Sequence, residues 1–183
     1  MRVFYLSNHF NKLALDCWLQ EVLGVSSIEV AKCYSDAELV IAPGACNSGQ
    51  ISNIDLENVC KESSIKVLCI CGGFQALFGC NEESGKSGAS VFNGTVVKLK
   101  KDNGVEFTQT GTLKCEDNNE YFFNNSYGVI SGPLKKDKSV LFHGKFIIMI
   151  QSNNILGYQF HPELSGKAQV GLQKQMRSWF FGT

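Results

Sequence analysis

The hydrophobic pattern of the chain changes character near Ala89. Before it, apolar residues fall in short continuous runs separated by helical stretches. Arg2 to Leu6 is the first run, and Asn11 follows as a helix cap ahead of Leu13, Leu15, Trp18, Val22 and Leu23, with Gly24 as the stop. A run at Ile28 to Ala31 precedes Glu38 to Ala42, a strand ending sharply at Pro43-Gly44. A helix is predicted near Ile54 to Glu62. Val67 to Ile70 is then a continuous apolar run of the kind that fills the middle of a parallel sheet, and Cys71-Gly72-Gly73 breaks it before a helical Phe74 to Phe78. This alternation with short connections predicts an α/β fold, an open sheet with a mostly parallel centre and helices on both faces.

After Ala89 the runs become β-rich and are separated by Asn, Gly, Lys and Asp clusters: Val91 to Lys100, Val105 to Leu113, Glu120 to Ile130, Ser139 to Phe142, Phe146 to Ile150 and Ile155 to Phe160. These predict additional antiparallel strands, closed by a helix from about Ala168 to Phe180. No repeat, linker or low-complexity tract interrupts residues 1 to 183, so one domain is expected.

Composition narrows the function classes. Lys plus Arg number 17 and Asp plus Glu number 17, with no long block of either sign, which removes the electrostatic footprint of a nucleic-acid or anionic-membrane binder. The start lacks the features of a secretory signal and no stretch is long enough to span a bilayer, so a soluble, cytoplasmic protein is expected. In that setting the 8 cysteines are expected as reduced thiols rather than a disulfide framework. The sequons at Asn93 and Asn124 then carry no weight.

Three places carry chemistry. At Cys69-Ile70-Cys71-Gly72-Gly73-Phe74-Gln75 a thiol stands at a strand-to-helix junction, where a sharp turn lifts a nucleophile out of the sheet and helix amides favour negative charge. Most free cysteines are simply small buried hydrophobes. The second place shifts that balance: Gly157-Tyr158-Gln159-Phe160-His161-Pro162-Glu163 sets an imidazole and a carboxylate two residues apart after a strand. On an extended backbone, which Pro162 favours at His161, both side chains project the same way, so Glu163 can orient His161 towards a nucleophile. His9 and His143 read as structural or surface residues. The third place is the loop Ala42 to Gly49, whose amides could join the Gly72 N–H in an oxyanion hole. A Cys69-Cys71 metal clip finds no second ligand pair, so no metal is expected.

An apolar strand running into Cys-x-Gly-x-Gln, with a later Gln-Phe-His-Pro-Glu, resembles the class I glutamine amidotransferases, whose fold is a flavodoxin-like open sheet. Within that family the chain is most similar to the glutaminase subunits of imidazole glycerol phosphate synthases. Tyr121 to Tyr127, ending in Ser-Tyr, and His161 to Ser165 followed by Gly171-Leu172 add to the likeness, which spans Leu39 to the end. The resemblance implies Cys71 as nucleophile, His161 as base and then acid, and Glu163 as orienter. It further implies that Gly44, Ala45, Gln75, Ser126 and Tyr127 border the glutamine, with Gly72 supplying an oxyanion amide. No cofactor is implied. The implied partner is a (β/α)8-barrel, cyclase-like synthase that forms a heterodimer with the chain and receives its ammonia by a protected route.

The chain departs from the family pattern at several points. Cys69 stands where a Gly is usual, which predicts added strain or a shifted turn. The Asp-Tyr-Gly opening is absent, Pro43 to Cys46 lacks a further Gly and an aromatic, Asn125 replaces a His, and the stretch from Lys100 to Glu120 lacks Gly-Trp-Asn. Two other readings therefore stand beside histidine-precursor synthesis: a glutaminase serving a sugar amidotransferase of bacterial surface-polysaccharide synthesis, and a catalytically inactive regulatory module on the same fold.

Overall fold

The computed structural model describes residues 1–7, 11–44, 51–83, 85–132 and 139–182. The first half builds as expected. β1 (Arg2–Tyr5) leads to α1 (Lys12–Leu23), whose Asn11 side chain accepts from the Ala14 N–H and whose Gly24 ends the helix in the left-handed conformation. β2 (Glu29–Val30), β3 (Leu39–Ala42), α2 (Asn53–Lys61, capped by Ser52), β4 (Lys66–Ile70) and the five-residue α3 (Gly72–Ala76) come next.

The structure corrects two sequence expectations. The helix foreseen over Phe74 to Phe78 stops at Ala76, and Phe78 opens β5 (Phe78–Asn81), which pairs in parallel with β7 (Phe92–Lys98). Pairing and burial of Phe78 override the helical pattern. Between them β6 (Lys86–Ser87) pairs with β5. The run Glu120 to Ile130 is likewise two strands, not one. β9 (Glu120–Asn125) forms a separate two-stranded sheet with β8 (Gln109–Lys114), whereas β10 (Tyr127–Ser131) joins the main sheet, so the chain changes sheets at Ser126. β11 (Ser139–His143), β12 (Phe146–Gln151), β13 (Ile155–Tyr158) and α4 (Gln169–Phe181) complete the chain.

The main sheet runs β2-β1-β3-β4-β13-β12-β10-β7-β5-β6, with β11 on β12. From β2 to β13 all pairs are parallel, in the strand order of a flavodoxin-like doubly wound sheet. β13 is the joint, parallel to β4 on one side and antiparallel to β12 on the other. The pleat divides the core into two layers. Leu39, Ile41, Leu68, Ile70, Leu156 and Tyr158 pack with α1 and α4; Val40, Ala42, Val67, Cys69 and Ile155 pack with α2 and α3. The β8–β9 sheet lies over the first layer, stacking Tyr121 on Phe160 with ring centres 4.1 Å apart. Among the described residues no helix is long and apolar enough to cross a membrane.

Candidate functional site

Two neighbouring parallel strands deliver the thiol, the imidazole and the carboxylate. β4 and β13 end side by side, Ile70 opposite Tyr158, so the residues beyond each strand emerge at the same carboxyl edge. Cys71 comes at once, its N–H donating to the Tyr158 carbonyl at 2.7 Å. Its φ of 49° and ψ of −107° lie outside the regions an L-residue adopts without strain. That corner turns strand into helix and throws the Cys71 side chain into the α1/α4 layer, while Cys69 lies in the opposite layer. Strand alternation would have put both thiols on one face; the positive φ separates them.

The strain therefore falls on Cys71 and not on Cys69, whose φ is not positive. Cys69 is fully buried, and burial, with the nearby Cys60, pushes its thiol well above the usual range. Gly73 is required by a close approach, since a Cβ there would lie 1.9 Å from the Ala42 carbonyl oxygen. Without a side chain at Gly73, α3 can lie against the end of β3.

His161 is extended, as its place before Pro162 predicts, with φ −96° and ψ 98°. Glu163, however, stands in a 3-10 turn over Pro162–Leu164 and not on an extended segment. The turn still brings its Oε1 to 2.9 Å from His161 Nδ1, so the carboxylate orients the ring by a route that strand alternation did not describe. The loop is pinned to β9: the His161 N–H donates to the Phe122 carbonyl, the Phe122 N–H to Ser165 Oγ, and that hydroxyl to the His161 carbonyl at 2.6 Å. Ser165 is 2% exposed; its sequence context gave the motif but not this role.

The electrostatics result from this packing. Burial by itself lowers the His161 ring, but hydrogen bonds to Cys71 and Glu163, and the negative charge of both, outweigh it and raise the ring from 6.5 to about 10. Such an imidazole takes a proton from a thiol and keeps it while the sulfur reacts.

Cys71, Gly72, Gln75, Ser126 and Tyr127 line one cavity of about 210 Å³. Glu83, Lys98, Thr108, Asn124 and Asn125 complete it, and of these only Asn125 stands out in the sequence, as a departure from the family pattern. Glu83 comes from the β5–β6 turn and Lys98 from the end of β7, elements that only the folded sheet brings to Cys71. Gly44 is placed differently, between Cys71 and His161: a Cβ there would be 3.4 Å from Cys71 Cβ and 3.1 Å from His161 Cε1. Ala45, expected beside it, lies outside the described residues, as do Cys46 to Gly49 and His9.

A thiol at a strained strand end, faced by a carboxylate-held imidazole on a doubly wound sheet, defines the class of α/β proteins that carry out acyl transfer through sulfur. The chain belongs to the class-I glutamine amidotransferases: the family described as "Glutamine amidotransferase class-I" matches residues 18–175. Imidazole glycerol phosphate synthase subunit HisH of Exiguobacterium sibiricum is 30% identical over 166 residues, covering 86% of this chain and 83% of that one. The subunit of the same name from Pyrobaculum aerophilum is 32% identical over 114 residues, 59% of this chain and 60% of the relative. Among solved structures, a glutamine amidotransferase superposes with a TM-score of 0.68 at 16% identity, covering 99% of each chain. One from Thermotoga maritima gives 0.58 at 17% identity, over 96% of this chain and 83% of that one.

Proposed function

We propose that the chain is the glutaminase subunit of an imidazole glycerol phosphate synthase, hydrolysing glutamine to glutamate and ammonia for a cyclase partner. The observation that carries this reading is the positive-φ Cys71 at the carboxyl end of β4, next to a His161 ring that Glu163 holds at 2.9 Å. Several relatives bear the name of that synthase subunit.

Glutamine enters the Cys71 cavity with its side-chain amide at the sulfur. Its α-ammonium and α-carboxylate need opposite charges, and Glu83 and Lys98 are the charged groups lining that cavity. Cys71 Sγ attacks the amide carbon while His161 keeps the proton it has already taken from the thiol. The oxyanion takes the Gly72 N–H at the start of α3, a type of contact worth about 3 kcal/mol in the transition state. The imidazolium then protonates the departing nitrogen, the C–N bond breaks, and ammonia leaves a thioester on Cys71. Water, deprotonated by His161, attacks the thioester; glutamate departs and the thiol is restored. Ammonia passes to a (β/α)8-barrel synthase bound as a heterodimer, which shields it from protonation in bulk water.

The test uses the chain together with its synthase. Cys71→Ala is expected to lower glutamine-dependent synthesis by roughly a thousandfold or more, while synthesis from added ammonium salts persists. Complementation identifies the acceptor: the wild-type chain is expected to restore histidine-independent growth to a strain lacking this subunit. Glutaminase activity without rescue would move the acceptor elsewhere, a sugar nucleotide included; an active Cys71→Ala complex would remove the glutaminase reading altogether.

A further inference from the structure

Gln75 lines the Cys71 cavity with a side-chain amide, and the end of that amide that faces inward decides what it can bind. Its Nε2 donates to the Tyr127 carbonyl at 3.0 Å and to Gln159 Oε1 at 3.2 Å. A peptide carbonyl accepts and never donates, so the amide nitrogen and not its oxygen must face Tyr127. Both Nε2 hydrogens are thus used inside the protein. Gln75 Oε1 takes no hydrogen bond among the described residues and, unlike Asn125 Oδ1 and Gln159 Nε2, is not sealed off. Towards a ligand, Gln75 therefore acts as an acceptor.

Holding the amide this way takes two partners. The last torsion of a glutamine side chain is broad and roughly two-fold, and the Tyr127 carbonyl is shared, since Asn125 Nδ2 donates to it at 2.6 Å. One shared acceptor leaves the amide free to pivot about that bond; a second fixes its plane. Gln159 supplies the second. It is 1% exposed and follows directly on β13, where its N–H donates to the Ile148 carbonyl at 2.9 Å, so its backbone is tied to the middle of the main sheet. Its own Nε2 is buried without a partner. Packing alone would favour an apolar side chain of the same volume there, which would leave no donor bare.

The α-ammonium of glutamine is a donor with no accepting atom, and Glu83 on the same cavity brings the opposite charge. We propose that Gln159 is a positioning residue for substrate selection: it fixes the Gln75 amide with Oε1 towards the cavity, where that oxygen accepts from the α-ammonium of glutamine. The inference rests on the glutaminase reading and deepens it at the end of the substrate far from the sulfur.

Glutaramate, the glutamine skeleton without its amino group, is the probe, and the full chain carrying Cys71→Ala is the receptor, which binds without turnover. Calorimetry is expected to show glutamine bound roughly tenfold more tightly than glutaramate, or better. Adding Gln159→Met, which keeps the volume and removes the acceptor, weakens glutamine roughly tenfold and leaves glutaramate within about twofold. Gln159→Glu, which keeps an acceptor facing Gln75, restores glutamine to within about threefold. A purely structural Gln159 would weaken both ligands alike, and that result overturns the proposal. Glutamine binding unmoved by Gln159→Met overturns it, as does glutaramate bound as tightly as glutamine before the second substitution. Absence of glutamine binding overturns it too, whereas the glutaminase reading falls to an active Cys71→Ala complex. Should both Gln159 variants lose cooperative unfolding, hydrogen exchange at the Gln75 side-chain amide decides. Bonded at both hydrogens, it exchanges slowly in the wild type; exchange at the rate of a free amide overturns the proposal.

Discussion

At Cys71 and His161, small changes in position carry large chemical effects. The ring is charged in the folded protein up to about pH 10, whereas an unfolded histidine gives up its proton near 6.5. Folding is favoured by this charge fully below pH 6.5, and that contribution is lost as pH rises from 6.5 through about 10. Urea midpoints of the wild type should therefore fall across that window. The fall should shrink in Cys71→Ala, which removes the larger of the two attractions on the ring; an unchanged slope would mean that the imidazolium does not depend on the sulfur. Gly44 sets the other tolerance. An alanine Cβ at 3.1 Å from His161 Cε1 is tighter than ordinary contact, so the ring must give by a few tenths of an ångström. Displacements of about 1 Å cost about a hundredfold in well-oriented catalysis. Gly44→Ala should accordingly lower kcat roughly tenfold, with KM little changed and the fold intact by circular dichroism.

Among the elements, the Cys71 corner depends on how α3 meets β3. Gly73→Ala would put a methyl group 1.9 Å from a backbone oxygen that cannot swing aside. The substitution should cost about 3 kcal/mol of stability or more and displace Cys71 as well, measured by urea unfolding and by lost activity in the surviving fold. Buried parallel strands such as Leu39–Ala42 and Ile155–Tyr158 are legible in the sequence because both faces are covered and the apolar run is unbroken. The caps at Asn11 and Gly24 are legible because their chemistry is local. Phe78 and Ser126 are not, because what ends α3 early and splits Glu120–Ile130 is pairing with strands distant in sequence. The site divides the same way. Cys71 and His161 can be paired from sequence because each comes just after the end of an apolar strand, and the fold sets those strands side by side. Glu83 and Lys98 carry no such mark, one in a turn and the other on a half-exposed strand, and only tertiary structure brings them to the sulfur.

Across the whole molecule, the parts of the site are held with unequal firmness. Cys71 and His161 hang from β4 and β13, at the centre of the main sheet, where Val67 to Ile70 and all of Ile155–Tyr158 are buried. The wall opposite Cys71 is carried by Asn124 and Asn125 at the end of β9, whose only ladder partner among the described residues is β8. β8 alternates half-buried and exposed positions along its length. Elements with few buried contacts and solvent-facing hydrogen bonds open at lower free energy than a covered sheet centre. Amide exchange should thus be slowest in β3, β4 and β13 and fastest, among the strands that touch the site, in β8 and β9. Glutamine held by a Cys71→Ala chain should slow β9 far more than β4, because β4 is already closed and β9 is the wall the ligand has to fix in place. Equal protection of β4 and β9 in the free chain would refute this division, and would make the site rigid on all sides before substrate arrives.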